Sequence, residues 1–188
     1  PNKVMEKAQS EFINWNNTGS SVMELSHRSP LYMEMATKAE MDLRDLMAIP
    51  DNYSVLFCHG GGRGQFSAVP LNLLSEGKTA DYIISGSWSK AAATEAEHYG
   101  EIKRIDVVTK VAGETHVLSS QEWGLNPDAA FVHYCPNETV DGIEMFDIPE
   151  TNGVPLVADM SSTILSHEID VTKFGLIYAG AQKNIGPS

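Results

Sequence analysis

The 188-residue chain is poor in cysteine, in basic residues and in long apolar runs, and each shortage excludes a class of protein. Cys58 and Cys135 form no CxxC or Cys/His cluster, so we expect buried free thiols in a reducing compartment and no metal site. Thirteen basic against twenty-five acidic residues give a net charge of −12, which argues against nucleic acid as the main partner. No run reaches ~18 consecutive apolar residues, so we expect no membrane partner and a cytoplasmic protein.

The pattern of apolar residues predicts two helices first and a mostly parallel α/β sheet after them. Helical patterns cover residues 3–17 and 30–49, and the second has Pro30 at its start and Pro50 at its end. Short apolar runs then alternate with helical stretches, which is typical of a parallel sheet flanked by helices. Strands are predicted over 53–58, 82–85, 104–111, 114–118, 129–135, 155–160 and 175–179, and helices over 65–74 and 87–99.

Lys183 and Asp159 are the strongest candidates for chemistry, because each follows or ends a predicted strand. Ligands of parallel sheets bind beyond the carboxyl ends of the strands. A lysine and an aspartate at that edge are what pyridoxal phosphate requires, an amine for its aldehyde and a carboxylate for its pyridine nitrogen. The alternatives are a solvated surface lysine and an aspartate that caps a helix.

A glycine-rich segment, HGGGRG, lies between a predicted strand and a predicted helix over residues 59–64. Glycines let backbone N–H groups approach a phosphate, and the following helix adds a favourable dipole. The segment matches neither the P-loop nor the dinucleotide-binding pattern. Anion binding is favoured over the alternative, a tight turn.

Three further groups of residues are weaker candidates. Trp88 stands between a predicted strand and helix, where its ring could stack on a cofactor or pack in the core. Asn137 and Thr139 follow another predicted strand and could bond a cofactor or form a turn. His27 and Arg28 lie between two predicted helices, and arginine suits a carboxylate or a phosphate, although a solvated loop is the alternative.

The order of these segments closely resembles the phosphoserine aminotransferase family, whose members are class V, fold-type-I pyridoxal phosphate enzymes. The matching segments are residues 18–29, 56–66, 133–142 and 158–162 continuing to Lys183. The resemblance implies that Lys183 is the lysine bonded to the cofactor and that Asp159 is the acid at its pyridine nitrogen. It assigns the remaining cofactor contacts to Gly62, Arg63, Trp88, Thr139 and Gln182, and a substrate-anion site to His27, Arg28 and Arg63.

The resemblance also implies a reaction and an assembly. The reaction is transamination between glutamate and 3-phosphohydroxypyruvate, giving O-phosphoserine and 2-oxoglutarate for serine biosynthesis, with a related substrate in pyridoxine synthesis. The assembly is a homodimer with the active site at its interface. The alternatives are another fold-type-I enzyme, such as an alanine–glyoxylate aminotransferase or a cysteine desulfurase, and a non-catalytic phosphate-binding module.

Residues 1–188 are expected to form the N-terminal segment and most of a large pyridoxal phosphate-binding domain. The chain stops five residues after Lys183, whereas the family continues into the rest of that domain and a small C-terminal domain. Further cofactor and substrate ligands come from that half in the family. We therefore expect the chain alone to be inactive and a longer parent or a second fragment to carry the remainder.

Overall fold

The computed structural model describes residues 1–186, which form two compact units. The first comprises Pro1–Leu56 with Gly186, and the second comprises Phe57–Ile185. No helix among residues 1–186 is both long enough and apolar enough to cross a bilayer. The sheet and the candidate site belong to the second unit.

The first unit is helical. Helix α1 runs over Asn2–Glu11, short 3₁₀ turns cover Trp15–Asn17 and Val22–Glu24, and helix α2 runs over Pro30–Met47. The prediction of one helix over 3–17 was too long, because α1 ends at Glu11 and the backbone at Asn14, with φ of −150° and ψ of 75°, is not helical.

The prediction of α2 is confirmed, and its start has a clear cause. The Ser29 hydroxyl accepts a hydrogen bond from the Tyr32 N–H at 3.3 Å, and Pro30 occupies the first turn. The helix ends at Met47 because Ala48 takes a left-handed conformation, with φ of 50°.

The second unit contains one five-stranded sheet, two helices and two small hairpins. The elements in chain order are α3 (Gly61–Leu73), β1 (Thr79–Ile84), α4 (Ser87–Ala96), β2 (Glu101–Asp106), β3 (Val108–Val111), β4 (Glu114–Val117), β5 (Val132–Tyr134), β6 (Asn137–Glu138), β7 (Ile143–Glu144), β8 (Leu156–Asp159) and β9 (Leu176–Tyr178). The strands of the sheet are all parallel and lie in the order β2-β1-β5-β8-β9, which confirms the predicted fold class. Strands β3 and β4, and strands β6 and β7, form separate antiparallel pairs.

Four sequence predictions are corrected here. The predicted strand over 53–58 has no strand structure, and Cys58 at its end is exposed rather than buried. The glycines at 61–64 belong to the first turns of α3 rather than to a loop, and Gly60 before them has φ of 96°. The predicted strand over 104–111 is two strands, because the chain leaves the sheet at Val107.

The core lies between the sheet and helices α3 and α4. Strands β1, β5 and β8 are in the middle of the sheet and are almost entirely buried, which explains their continuous apolar sequences. Small alanines on α4 allow this helix to pack closely on β1. The cluster comprises Phe66, Val69, Ala80, Tyr82, Ala92, Ala93, Ala96, Phe131, Val157 and Tyr178.

Replacing Leu156 with alanine tests the burial of the central strands, because Leu156 lies in β8 and is 2% exposed. The Leu156→Ala change should lower the free energy of unfolding by roughly 2–5 kcal/mol, through lost burial and a residual cavity. Denaturant unfolding of both proteins measures the difference. Leu71→Ala is the matched control, since Leu71 is 67% exposed and should change stability by less than about 0.5 kcal/mol. Equal effects of the two changes would contradict the burial of β8 in the sheet.

Candidate active site

A cavity of about 370 Å³ opens at the carboxyl ends of β5, β8 and β9. It contains every residue that the sequence analysis assigned to the cofactor, drawn from five separate segments of the second unit. Its lining comprises Gly60, Gly61, Gly62, Arg63, Phe66, Trp88, Cys135, Asn137, Thr139, Asp159, Ser161, Ser162, Gln182 and Lys183. Residues far apart in the sequence therefore meet at the edge of the sheet where ligands of parallel sheets bind.

Asp159 ends β8 and is only 8% exposed. Its Oδ1 accepts hydrogen bonds from the Ser161 N–H at 2.9 Å and from the Ser161 hydroxyl at 2.6 Å. The Ser161 oxygen accepts in turn from the Gly180 N–H at 2.9 Å, which joins the ends of β8 and β9. The alternative of an aspartate that acts as a cap therefore explains the hydrogen bonds of only one carboxylate oxygen, Oδ1. These hydrogen bonds also fix the orientation of the Asp159 carboxylate.

Tyr178 lies beside Asp159 because the two residues are paired in the register of β8 and β9. Burial, reinforced by the charge of Asp159, raises the pKa of Tyr178, so its hydroxyl stays protonated and can donate to that carboxylate. The same hydroxyl is 2.8 Å from Nε2 of His133. The Nδ1 atom of His133 is buried and has no hydrogen-bond partner within residues 1–186.

Lys183 lies in the turn after β9, with an exposed side chain. Its Nζ donates a hydrogen bond to the Thr139 hydroxyl at 3.1 Å. Among the described residues, no carboxylate forms an ion pair with it. The amine is therefore held at the cavity by a neutral group and is not neutralised by an acid.

The N-terminus of α3 forms another wall of the cavity. The first N–H groups of a helix have no partner within the helix and carry the positive end of its dipole, so they favour an anion. Gly62 in this turn packs closely against Ser161, since a Cβ at that position would be 3.0 Å from the Ser161 hydroxyl oxygen. The Arg63 guanidinium carbon is 5.7 Å from the centre of the Trp88 ring, which joins this wall to α4.

Comparison with known proteins identifies the group to which this cavity belongs. A model of the family described as "Aminotransferase class-V" matches residues 1–188. The chain belongs to the class-V aminotransferase family. The cofactor expected for this family is pyridoxal phosphate, and a solved relative from Trichomonas vaginalis is a phosphoserine aminotransferase with this cofactor bound.

Individual class-V relatives are similar over the whole of this chain. It is 56% identical over 188 residues to a phosphoserine aminotransferase of Pseudoalteromonas translucida (strain TAC 125), covering 100% of this chain and 52% of the relative. The structure of a phosphoserine aminotransferase from Bacillus circulans subsp. alkalophilus is 42% identical with a TM-score of 0.92, covering 100% and 52%. The Trichomonas vaginalis structure is 40% identical with a TM-score of 0.88, covering 99% and 52%. The chain thus spans about half the length of the curated relatives it matches.

His27 and Arg28 are exposed and belong to the first unit, so their assignment to a substrate site stays a prediction.

Both cysteines were expected to be buried, but only Cys135 is, and it lines the cavity. Burial, with contributions from Asp159 and Glu138, raises the pKa of the Cys135 thiol, which makes it a poor nucleophile. Exposed Cys58 is not among the residues that line the cavity.

Sequence reasoning missed four residues that support this class-V site. They are Ser161 and Tyr178 beside Asp159, His133 behind Tyr178, and Glu138, whose carboxylate accepts the Trp88 N–H at 2.8 Å. Ser161 could have been found, because a hydroxyl two residues after an aspartate commonly bonds to it. The partners of the other three depend on pairing between distant segments, which single-sequence patterns do not reveal.

His133 provides a prediction for the pH dependence of stability. Burial lowers its pKa to about 3 from the ordinary value of 6.5, so the folded protein keeps it neutral where the unfolded chain binds a proton. The contribution of neutral His133 to the free energy of unfolding is complete above the unfolded pKa of 6.5. It is lost as the pH falls from 6.5 towards the folded pKa of about 3. Over that pH range, the free energy of unfolding falls by about 1.4 kcal/mol for each unit by which the pH is lowered.

Unfolding of the wild type and of His133→Gln, measured from neutral to mildly acidic pH, checks this slope. The Gln side chain keeps an N–H for Tyr178 but cannot take up the proton, so the variant should lose less stability on acidification. His98→Gln is the control, because His98 is exposed. Parallel curves for the wild type and His133→Gln would show that His133 is not held neutral by the fold.

Proposed function

We propose that this chain is the cofactor-binding part of an aminotransferase that moves the amino group of glutamate to 3-phosphohydroxypyruvate. The products are O-phosphoserine and 2-oxoglutarate, which is the transamination step of serine biosynthesis. The observation that carries the proposal is that Lys183, Asp159 and Trp88 line one cavity together with the N-terminus of α3. Similarity to phosphoserine aminotransferases over the full chain supports the choice of substrate.

The residues of the cavity fit pyridoxal phosphate. An amine, a buried carboxylate and an aromatic ring match the aldehyde, the pyridine nitrogen and the flat ring of the cofactor. The α3 N-terminus matches its phosphate, since four backbone N–H groups there lack helical partners. The cavity, at about 370 Å³, is within the range of small-molecule sites.

The mechanism follows from what each side chain can do. When bound, the cofactor supplies an aldehyde and a ring that withdraws electrons from the substrate α-carbon. Lys183 would hold the cofactor at its aldehyde, and the lysine amine would move a proton at the substrate α-carbon, a contribution of ~10²–10⁴-fold. Asp159 would hold a proton on the ring nitrogen, and the hydrogen bonds from Ser161 keep its carboxylate in place.

The remaining residues bind and orient. Trp88 would stack on the ring, Thr139 accepts a hydrogen bond from the lysine amine, and Gly62 and Arg63 would hold the cofactor phosphate. Gln182 completes the shell from the turn that also carries Lys183. His27, Arg28 and Arg63 are assigned to the substrate carboxylate and phosphate, since arginine bonds both anions with two parallel N–H groups.

Lys183→Ala in the full-length protein tests the assignment of the nucleophile. The variant should lose turnover, because no other amine among the cavity residues can replace Lys183. It should also lose the visible absorbance of the cofactor bonded to lysine. Lys90→Ala is the matched control, since Lys90 is an exposed lysine on α4 outside the cavity. Normal turnover and absorbance in Lys183→Ala would overturn the assignment.

Arg28→Gln tests the proposed substrate-anion site. Loss of one charge-assisted hydrogen bond should raise the KM for 3-phosphohydroxypyruvate on the order of tenfold, with cofactor absorbance unchanged. Steady-state kinetics of both proteins measure this change, and Arg104→Gln is the control because Arg104 pairs with Glu97 on the surface. An unchanged KM would remove Arg28 from the substrate site.

The choice of substrate is tested by comparing amino donors and acceptors on the full-length protein. Glutamate with 3-phosphohydroxypyruvate should react faster than alanine with glyoxylate. The related phosphorylated substrate of pyridoxine synthesis is a second acceptor to compare in the same assay. Preference for alanine and glyoxylate would favour the alternative family member, and failure to bind pyridoxal phosphate would favour a phosphate-binding module.

The proposal includes an assembly and a location. A homodimer with the active site at its interface, in the cytoplasm, follows from the resemblance to the family. The C-terminal half found in the relatives, as part of the same polypeptide or as a second fragment, would supply further ligands. Intact mass together with sedimentation of the natural protein distinguishes these arrangements.

A further inference from the structure

We propose that Glu138 is a positioning residue that sets the place of Trp88 in the cofactor cavity. This inference rests on the proposed function, because it concerns how the ring-stacking wall is held. Glu138 does not itself line the cavity, but both of its chain neighbours, Asn137 and Thr139, do. It therefore lies directly behind the wall of the site.

The Glu138 carboxylate is completely buried and binds the start of α4. Its Oε2 accepts the Trp88 N–H at 2.8 Å, and its Oε1 accepts the Ser89 N–H at 2.8 Å. Oε1 is also 3.4 Å from the Ser85 hydroxyl. No lysine or arginine within the described residues pairs with Glu138, so backbone donors and the helix dipole stabilise its charge.

A second carboxylate of the same hairpin completes the contact. Asp141, in the turn between β6 and β7, accepts the Ser87 N–H at 2.7 Å through Oδ2. The first three N–H groups of α4 are thus bound by two acids of one hairpin. Water cannot take the place of the Glu138 carboxylate, because Glu138 is buried. Removing this carboxylate would therefore leave the Trp88 and Ser89 N–H groups without an acceptor.

The close approach of this hairpin to α4 requires a glycine at position 86. A Cβ on Gly86 would lie 2.5 Å from Oδ2 of Asp141 and 2.7 Å from Cδ of Glu138, closer than Cβ atoms come to other heavy atoms in proteins. The hairpin and the helix start are therefore packed as one rigid piece. That piece carries Trp88 on one side and Thr139, which bonds Lys183 at 3.1 Å, on the other.

The consequence is that Glu138 fixes the gap between the Trp88 ring and the hairpin. A ring cofactor placed against Trp88 needs that gap to be constant, because misplacement weakens both stacking and the polar contacts at its edge. Glu138 does this without contacting the cofactor. Its loss should weaken cofactor binding through Trp88 and not through a contact of its own.

The experiment uses the full-length protein and measures the dissociation constant of pyridoxal phosphate for four forms. They are the wild type, Glu138→Gln, Trp88→Phe and the double variant. Glu138→Gln keeps the size of the side chain but presents an amide where two N–H donors need acceptors, so the constant should rise on the order of tenfold. In the double variant the two effects should not add, because both act through one ring.

Two further measurements separate positioning from a general loss of stability. Amide hydrogen exchange of the protein without cofactor should speed up at Trp88 and Ser89 in Glu138→Gln. The circular dichroism of the bound cofactor in the visible range should change as the Trp88 ring shifts. Glu122→Gln is the matched control, since Glu122 caps the turn over Ser120–Glu122 by accepting the Ser119 N–H at 3.1 Å, away from the cavity.

The dissociation constants test both the inference about Glu138 and the proposed function. A dissociation constant for Glu138→Gln equal to that of the wild type, or effects that add fully in the double variant, would overturn the inference while leaving the proposed function intact. Failure of the wild type to bind pyridoxal phosphate would overturn both. If Glu138→Gln does not fold, Asp141→Asn is measured in its place. The dissociation constant should then rise to a smaller degree. An unchanged dissociation constant in Asp141→Asn would count against the inference.

Discussion

The parallel pairing of β5, β8 and β9 is the constraint on which the site depends. Parallel strands end at the same edge of a sheet, so the segments that follow them must meet there whatever their distance in the sequence. Residues 135–139, 159–162 and 179–183 become neighbours for this reason. The register adds detail, because pairing Asp159 with Tyr178 places a phenol next to the carboxylate and brings His133 within reach of it.

The charges of this site are arranged so that its cations stay available for a ligand. Asp159 is held by the amide and hydroxyl of Ser161 and by Tyr178, and Glu138 is held by the first amides of α4. Neither buried acid uses a lysine or an arginine among the described residues. Lys183 and Arg63 therefore form no ion pair with a carboxylate within residues 1–186, which leaves the lysine amine available to an aldehyde and the guanidinium available to an anionic group.

The sheet and the main residues that line the cavity could be predicted from the sequence, because both depend on local patterns. A buried strand shows as an apolar run, and a functional residue at its end stands out by being polar, as Asp159 does. The strand predicted over 53–58 was wrong because an apolar run does not reveal whether a neighbouring strand exists to pair with it. The glycines at 61–64 were assigned to a loop because glycine is rare in helices, whereas here the helix starts within them.

Contacts between distant segments explain the rest of what the sequence could not show. Glu138 appeared only as the middle residue of a polar turn, and its burial follows from the docking of that turn on α4. Tyr178 and His133 looked like ordinary strand residues until the register placed them in a line behind Asp159. For His27 and Arg28 the resemblance to the family is still the basis of the assignment, since they belong to the other unit.

The two edges of the sheet differ in charge, and the uncharged edge strand leads into the turn that carries Lys183. Strand β2 forms one edge and exposes Glu101, Lys103 and Asp106, charges that discourage another chain from pairing with it. Strand β9 forms the other edge, pairs only with β8 within residues 1–186, and contains only Leu176, Ile177 and Tyr178. An uncharged edge of this kind can accept an additional strand or, if left open, promote aggregation. A strand added there would also brace the turn that carries Lys183, so protection against aggregation and rigidity of the nucleophile would come from the same hydrogen bonds.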